Sequence, residues 1–427
     1  MNRTAVFHAF IFALLAIQPA GSAWAEQSAS DTPEQPVLQY SIVGSSSCET
    51  SPCYSGVMQD VAVQKFLLEL ANNPQGMHTE KAAALEVAAA IPDLLALQLI
   101  RLDEDLYRLN FALFTAADVD RIRQVSEVYA RSLAAALLEQ RKQIEGLLGE
   151  YNVPGVDPKA VAYFLLGCAS LDWDGLDLTA AMGYRKTSGE RPDGRYAPHA
   201  QERAEQTLKG IYWGSHNEIY DGIRATSFGD HHSLPRYMLP DVFWRIPGFP
   251  SSYPRTLKTA LVNFVADSFA LRAKEFLRIM LALREGEKSA EDLALTLSVE
   301  GGDTRVFLDV LLALEYISEH DGLYRARIPV LTARDEVMAR SILAIGNQVM
   351  ATWLSENYPR MKNELQDLGF TRAGVPFEDG YTMIWHYLFG LANRELVEGG
   401  LFADPYAPDR TYQGAIPAVY TLELQFP

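Results

Sequence analysis

The sequence matches itself. "LLALQLIRLDEDLYRLNFALFTAAD" (94–118) aligns without a gap to "LLALEYISEHDGLYRARIPVLTARD" (311–335), and eleven of the 25 positions are identical. Such a repeat constrains the fold strongly, because each copy must adopt the same local structure and bury the same apolar face. After a six-residue gap, 162–178 resembles 385–401 more loosely, with aromatic-aliphatic runs that end at Gly167 and Gly390. Two copies of one unit are therefore expected.

Local signals give that unit a shape. In the second copy the helical spacing of 257–284 stops at Glu285-Gly286. Ser289 with Asp292 three residues on forms a capping box, and Leu293 and Leu297 make the apolar stripe of a short helix. Residues 301–302 (Gly-Gly) break it, and "TRVFLDVLLALEYI" predicts a third helix. Two short strands around Asp321-Gly322 follow. Thr332 with Asp335, and Thr115 with Asp118 in the first copy, then cap long helices that begin with "DEVMAR" and "DVDRIR".

Helix, short helix, third helix and β-hairpin resembles the winged-helix domains of ArsR- and MarR-like regulators. The resemblance is carried by residues 289–332 and, with the second and third helices compressed, by 62–110. It implies a mainly α fold of duplicated winged helix-turn-helix units with small β-hairpin wings. The long helices following each wing would pair as a pseudo-dimer within one chain. It also implies DNA binding through the third helix, which requires cationic or amide side chains along one face. The third helices do not supply them. One offers Thr304, Arg305 and Asp309 among apolar residues, and the other, "EVAAAIPDLLALQLI", has no basic residue. The first wing, "RLDEDLYRLN", sets three acids against two arginines; the second carries Arg325 and Arg327. With a formal net charge of −17, these helices argue against DNA as the partner.

Between the copies, residues 179–255 are rich in Gly, Pro and aromatic side chains and read as a loop-rich insert, the place where function is expected. His216, Asp230, His231 and His232 are candidate ligands for a divalent metal, although no H-x-H or H-E-x-x-H spacing orders them. Trp213, Arg236, Tyr237 and Trp244 are candidate binding residues for a protein or small ligand. "DWDGLD" (172–177) lacks the spacing of a calcium loop and reads as helix capping. No P-loop, G-x-G-x-x-G or G-x-S-x-G occurs, so nucleotide and α/β-hydrolase chemistry have no footing, and no cofactor is expected.

The N-terminus sets the compartment. Arg3, an apolar run from Ala5 to Ile17 and the small residues ending Ala23-Trp24-Ala25 read as a signal peptide over 1–25. No later segment is apolar enough to span a membrane. Cys48 and Cys53 in "SSSCETSPCYSG" are expected to form a small disulfide loop, within a disordered linker over 26–57, in a periplasmic or secreted protein. Cys168, in "YFLLGCASL", reads as a buried free thiol. The expected organisation continues with one unit over 58–178, the insert, a second unit over 256–403 and a tail over 404–427. An exported binding or assembly protein is the expected function. A DNA-binding regulator and a metal-dependent enzyme using the central histidines are the alternatives.

Overall fold

The computed structural model describes residues 36–49, 52–203, 210–230, 273–297, 301–407 and 414–424. The expected signal peptide and His231, His232, Arg236, Tyr237 and Trp244 lie outside the described residues.

The first half opens with strand β1 (Leu38–Ser46) and helix α1 (Val61–Asn72), which Asp60 caps by accepting the Ala62 N–H at 2.8 Å. Strand β2 (Met77–His78), helices α2 (Thr79–Ala83) and α3 (Ile91–Ala96), and strands β3 (Ile100–Asp103) and β4 (Leu106–Leu109) follow. Strands β2, β4 and β3 form one antiparallel sheet. Then come β5 (Ala112–Phe114), the long helix α4 (Ala116–Glu139), a π-helix (Tyr163–Asp174), and the hairpin β6 (Gly189–Arg191) and β7 (Gly194–Glu202). The second half starts with a hairpin, β8 (Tyr212–Tyr220) and β9 (Ile223–Asp230), and then runs through the same order. It has α5 (Ala273–Arg284), β10 (Lys288–Ser289), α6 (Ala290–Leu297), α7 (Gly301–Ala313), β11 (Ile317–His320), β12 (Leu323–Ala326) and β13 (Val330–Leu331). Helix α8 (Glu336–Leu365), helix α9 (Phe377–Glu398) and strand β14 (Ala415–Thr421) complete it.

The correspondence reaches individual hydrogen bonds. Helices α3 and α7 are closed by the same left-handed residue, Gln98 (φ 55°) and Glu315 (φ 58°). Beside each, the Leu99 and Tyr316 N–H groups reach back to the Leu94 and Leu311 carbonyls, both at 2.9 Å. A non-glycine residue at positive φ costs about 1 kcal/mol, yet Glu104 (φ 57°) and Asp321 (φ 53°) repeat the choice at the two hairpin tips. All three capping boxes form: Thr115 with Asp118, Ser289 with Asp292, and Thr332 with Asp335.

Two larger sheets extend the correspondence beyond the sequence repeat. In one, β7 lies antiparallel to β1 and parallel to β5; in the other, β14 lies antiparallel to β9 and parallel to β13. Gly44 opposite Tyr196 and Gly229 opposite Ala415 occupy the same place in the two sheets. A Cβ at Gly44 would collide with the main chain of Arg195 and Tyr196, and one at Gly229 with that of Gly414 and Ala415. Only glycine allows this approach.

The chain is thus mixed helix and strand, which corrects the mainly α expectation. Strand β1 occupies part of the expected linker, and β6 to β9 occupy much of the expected insert. Strand β9 is buried on both faces, so it lacks the polar–apolar alternation that marks a half-buried strand in sequence.

The long helices interlock across the halves. Helix α4 packs against α8 and α9, while α8 packs against the π-helix. Tyr129 of α4 meets Trp353 of α8 edge-on at 6.1 Å, and the Trp353 indole N–H donates to Ser132 at 2.8 Å. Trp385 of α9 is fully buried and donates to the Leu171 carbonyl of the π-helix at 2.9 Å. Burying a large side chain in this way stabilises by roughly 1.5–3 kcal/mol. Among the described residues no helix is long and apolar enough to cross a membrane.

Candidate functional site

A cavity of about 290 Å³ opens where β1, β7, β8 and α9 meet. Strand β1 gives it Gln39, Ser41, Ile42 and Val43; β7 gives His199, Ala200 and Gln201; β8 gives Trp213, Gly214 and Ser215; and α9 gives Thr382, Met383 and His386. The first two strands belong to the first half and the other elements to the second. Among the described residues no Asp, Glu, Lys or Arg lines it.

Two histidines define its chemistry. His199 is 1% exposed, and its Nε2 lies 3.1 Å from the Asp379 carbonyl. A carbonyl only accepts, so Nε2 carries the proton and Nδ1 is a bare acceptor. That buried Nδ1 has no hydrogen-bond partner among the described residues. Burial holds the His199 pKa down to about 4, helped by the nearby His386 and Arg185 and opposed by the Asp379 hydrogen bond. His386 donates from Nδ1 to the Thr382 carbonyl one helical turn back, at 2.7 Å. Its pKa is likewise held down to about 4, first by burial and then by Arg185. His386 Nε2 is 3.9 Å from Asp172 Oδ1; because the ring is neutral, this contact is no ion pair. Both imidazoles are uncharged at neutral pH.

Asp172 stands behind the cavity wall, on the π-helix. Its burial pushes the pKa up to about 7, against the pull of a hydrogen bond from Ser215. Long π-helical stretches are rare and recur at functional sites. Here the stretch runs fully buried from Tyr163 to Asp172 and sets that carboxyl against Ser215 and His386. Opposite, the Tyr387 hydroxyl donates to Gln201 Oε1 at 3.1 Å, and Gln201 Nε2 donates to Gln39 Oε1 at 3.2 Å. Trp213 packs edge-on to His386 at 4.9 Å and tilted against Tyr387 at 5.7 Å.

Of the residues singled out in sequence, Trp213 lies in the cavity wall. Asp230 does not: it is buried at the end of β9, where it accepts the Gly210 N–H at 2.9 Å and the Tyr406 hydroxyl at 2.7 Å. His216 sits on β8 opposite Ser227. Among the described residues no group of three metal-ligating side chains comes together. Cys48 and Cys53 are joined by a disulfide, with their Cα atoms 5.1 Å apart. Cys168 is a buried free thiol whose pKa is pushed up by burial and then by Asp172. Sequence reasoning missed His199, His386, Asp172 and Ser215. His199 lay in the expected loop-rich insert and Asp172 in "DWDGLD", read as helix capping, while His386 stands in the apolar run "IWHYLF". Comparison of the chain with family models, curated proteins and solved structures gives no match.

Proposed function

We propose that this is an exported small-molecule-binding protein built on two winged-helix units. The order helix, strand, helix, helix, strand, strand occurs twice, and that order is the winged-helix one. The interlocked long helices support an internal pseudo-dimer. The signal-like N-terminus and the Cys48–Cys53 disulfide support a periplasmic or secreted location.

One observation carries the binding reading: a cavity of about 290 Å³ lies between strands of the first half and a strand and helix of the second, and polar side chains including Gln39, His199, Gln201, Ser215 and His386 are among its lining residues. Ligand sites favour such junctions between structural units. Native mass spectrometry of the folded chain, with a thermal-shift screen of small polar metabolites, tests the reading. A retained or stabilising small molecule is expected. The absence of both a bound mass and any stabilising compound overturns it.

The regulator alternative has less support. The exposed positions of α3 are Pro92 and Ala96, and those of α7 include Arg305 and Asp309, whose charges cancel. A gel shift at low salt that retards duplex DNA would restore it. A second reading, general acid–base catalysis, draws on Asp172, whose pKa near 7 and bond from Ser215 suit proton transfer. Loss of a hydrolytic activity in Asp172→Asn, with binding retained, would favour it.

A further inference from the structure

We infer that the Cys48–Cys53 disulfide is a thiol–disulfide exchange site, at which a small thiol attacks Cys53 and Cys48 departs. The site is separate from the cavity between the halves and does not depend on the binding reading.

The disulfide closes the turn between β1 and a short helix, Tyr54–Met58. Cys48 is exposed and Cys53 half-buried. A cavity of about 430 Å³ opens beside them, and both cysteines line it with Gly56, Val57, Val63 and Ala90. Exposed disulfides of this kind are the ones open to exchange.

Gly56 leaves the approach free. A Cβ at this position would stand 3.0 Å from the Cys53 Sγ, inside ordinary van der Waals contact. Chain neighbours and local backbone aside, no other atom of the described residues lies within 4 Å of that point. Gly56 is itself exposed, so one flank of the sulfur borders open space. Glycine is otherwise unfavourable inside a helix.

Ser55 serves the departing sulfur. Its hydroxyl lies 3.0 Å from the Cys48 Sγ, and a disulfide sulfur has no proton, so the hydroxyl donates. That bond strengthens once Cys48 carries a thiolate charge, and a stabilised thiolate leaves faster. Asp193 holds the ends of the ring. Its carbonyl accepts the Ser47 N–H at 2.8 Å, and its carboxylate accepts the Tyr54 N–H at 2.7 Å and the Tyr196 hydroxyl at 2.8 Å. None of these bonds involves sulfur, so the cysteines stay adjacent after reduction and the ring can reclose.

The exchange balances within the two partners. A thiolate RS⁻ bonds to the Cys53 Sγ as the S–S bond breaks, and the electron pair leaves on Cys48. A second thiolate attacks the thiol-derived sulfur, releasing RSSR and the Cys53 thiolate. The protein disulfide is reduced and two thiols are oxidised; RSSR drives the reverse reaction. Val57, Val63 and Ala90 give apolar wall for the carbon chain of a small neutral thiol.

The test treats the full mature chain with 2-mercaptoethanol in the presence of iodoacetamide and maps the products by mass spectrometry. Early products should carry the thiol on Cys53 and the alkyl group on Cys48, while buried Cys168 stays unlabelled as the mark of a folded chain. Full reduction should lower the thermal midpoint by only a few degrees. Gly56→Ala should slow exchange severalfold. Ser55→Ala should slow it by roughly tenfold, the worth of one charge-assisted hydrogen bond, and Ser55→Thr should restore the parent rate. Reduction that proceeds only together with Cys168 labelling shows a merely structural disulfide and overturns the inference. Early thiol adducts on Cys48, or parent rates in both Gly56→Ala and Ser55→Ala, overturn it as well.

Discussion

Replacing Asp335 by Ala should destabilise the chain more than replacing Asp118, although both residues close the same capping box. Each aspartate accepts from its threonine, Thr332 N–H at 2.9 Å and Thr115 N–H at 3.0 Å. Their other partners differ. Asp118 also accepts the Gly369 N–H at 2.8 Å. Asp335 instead holds Arg284, with Nη2 at 2.5 Å and Nε at 3.3 Å, and the Tyr151 ring lies 5.1 Å from the guanidinium carbon. Arg284 and Asp335 are 10% and 4% exposed. Loss of a cap costs about 1 kcal/mol. An orphaned buried N–H adds about 1–2 kcal/mol, so Asp118→Ala should cost about 2–3 kcal/mol. An orphaned buried cation adds about 3 kcal/mol, so Asp335→Ala should cost about 4 kcal/mol. The double variant Arg284→Met with Asp335→Ala removes the stranded charge and should recover about 2 kcal/mol relative to Asp335→Ala alone. Urea unfolding followed by tryptophan fluorescence and far-UV circular dichroism measures all three. Equal losses in the two single variants, with no recovery in the double, would refute the reasoning.

Other consequences are as direct. Asp172 has its folded pKa raised from 3.8 to about 7, so its protonated form is favoured by folding and that stability is lost as pH rises from about 4 through 7. Asp172→Asn should therefore be more stable than the parent by on the order of 1–3 kcal/mol above pH 7, with the gap closing near pH 4; a pH-independent difference would show the carboxyl is not desolvated. His199 has its folded pKa lowered from 6.5 to about 4, so it opposes folding as pH falls from 6.5 to 4, by up to about 3 kcal/mol. His199→Gln should flatten that limb of the stability profile. Gly44→Ala and Gly229→Ala should each cost at least about 2 kcal/mol because the new methyl meets main chain, whereas Gly146→Ala, in a helix with nothing within 4 Å, should stabilise by about 0.5–1 kcal/mol; chemical denaturation of the three variants checks the contrast. Cys168 should resist a thiol reagent in the native chain and react once on unfolding, and rapid native labelling would contradict its burial.

What could be read in sequence was local. The capping pairs at Thr115, Ser289 and Thr332, and the hairpin tip at Asp321-Gly322, are decided by neighbours within a few residues, and the structure forms each of them. The sheets were not legible, because β7 finds one partner in β1, far back along the chain, and another in parallel β5. No turn signal links such strands. The cavity was hidden for the same reason: His199 and His386 are brought together only when the first half's strand meets the second half's helix. Asp230 attracted a metal reading because two histidines follow it, but the fold turns its carboxylate inward to Gly210 and Tyr406. Trp213, a binding candidate in the sequence, lies in the cavity wall.

The central claim is that the His199 ring of the cavity wall is buried and neutral, with its proton on Nε2. Nitrogen-15 spectroscopy of histidine-labelled protein, assigned with His199→Gln, tests it most directly. The account predicts that His199 is the neutral tautomer with the proton on Nε2 from pH 8 down to about pH 5. A His199 ring that is protonated on Nδ1 at neutral pH would contradict it.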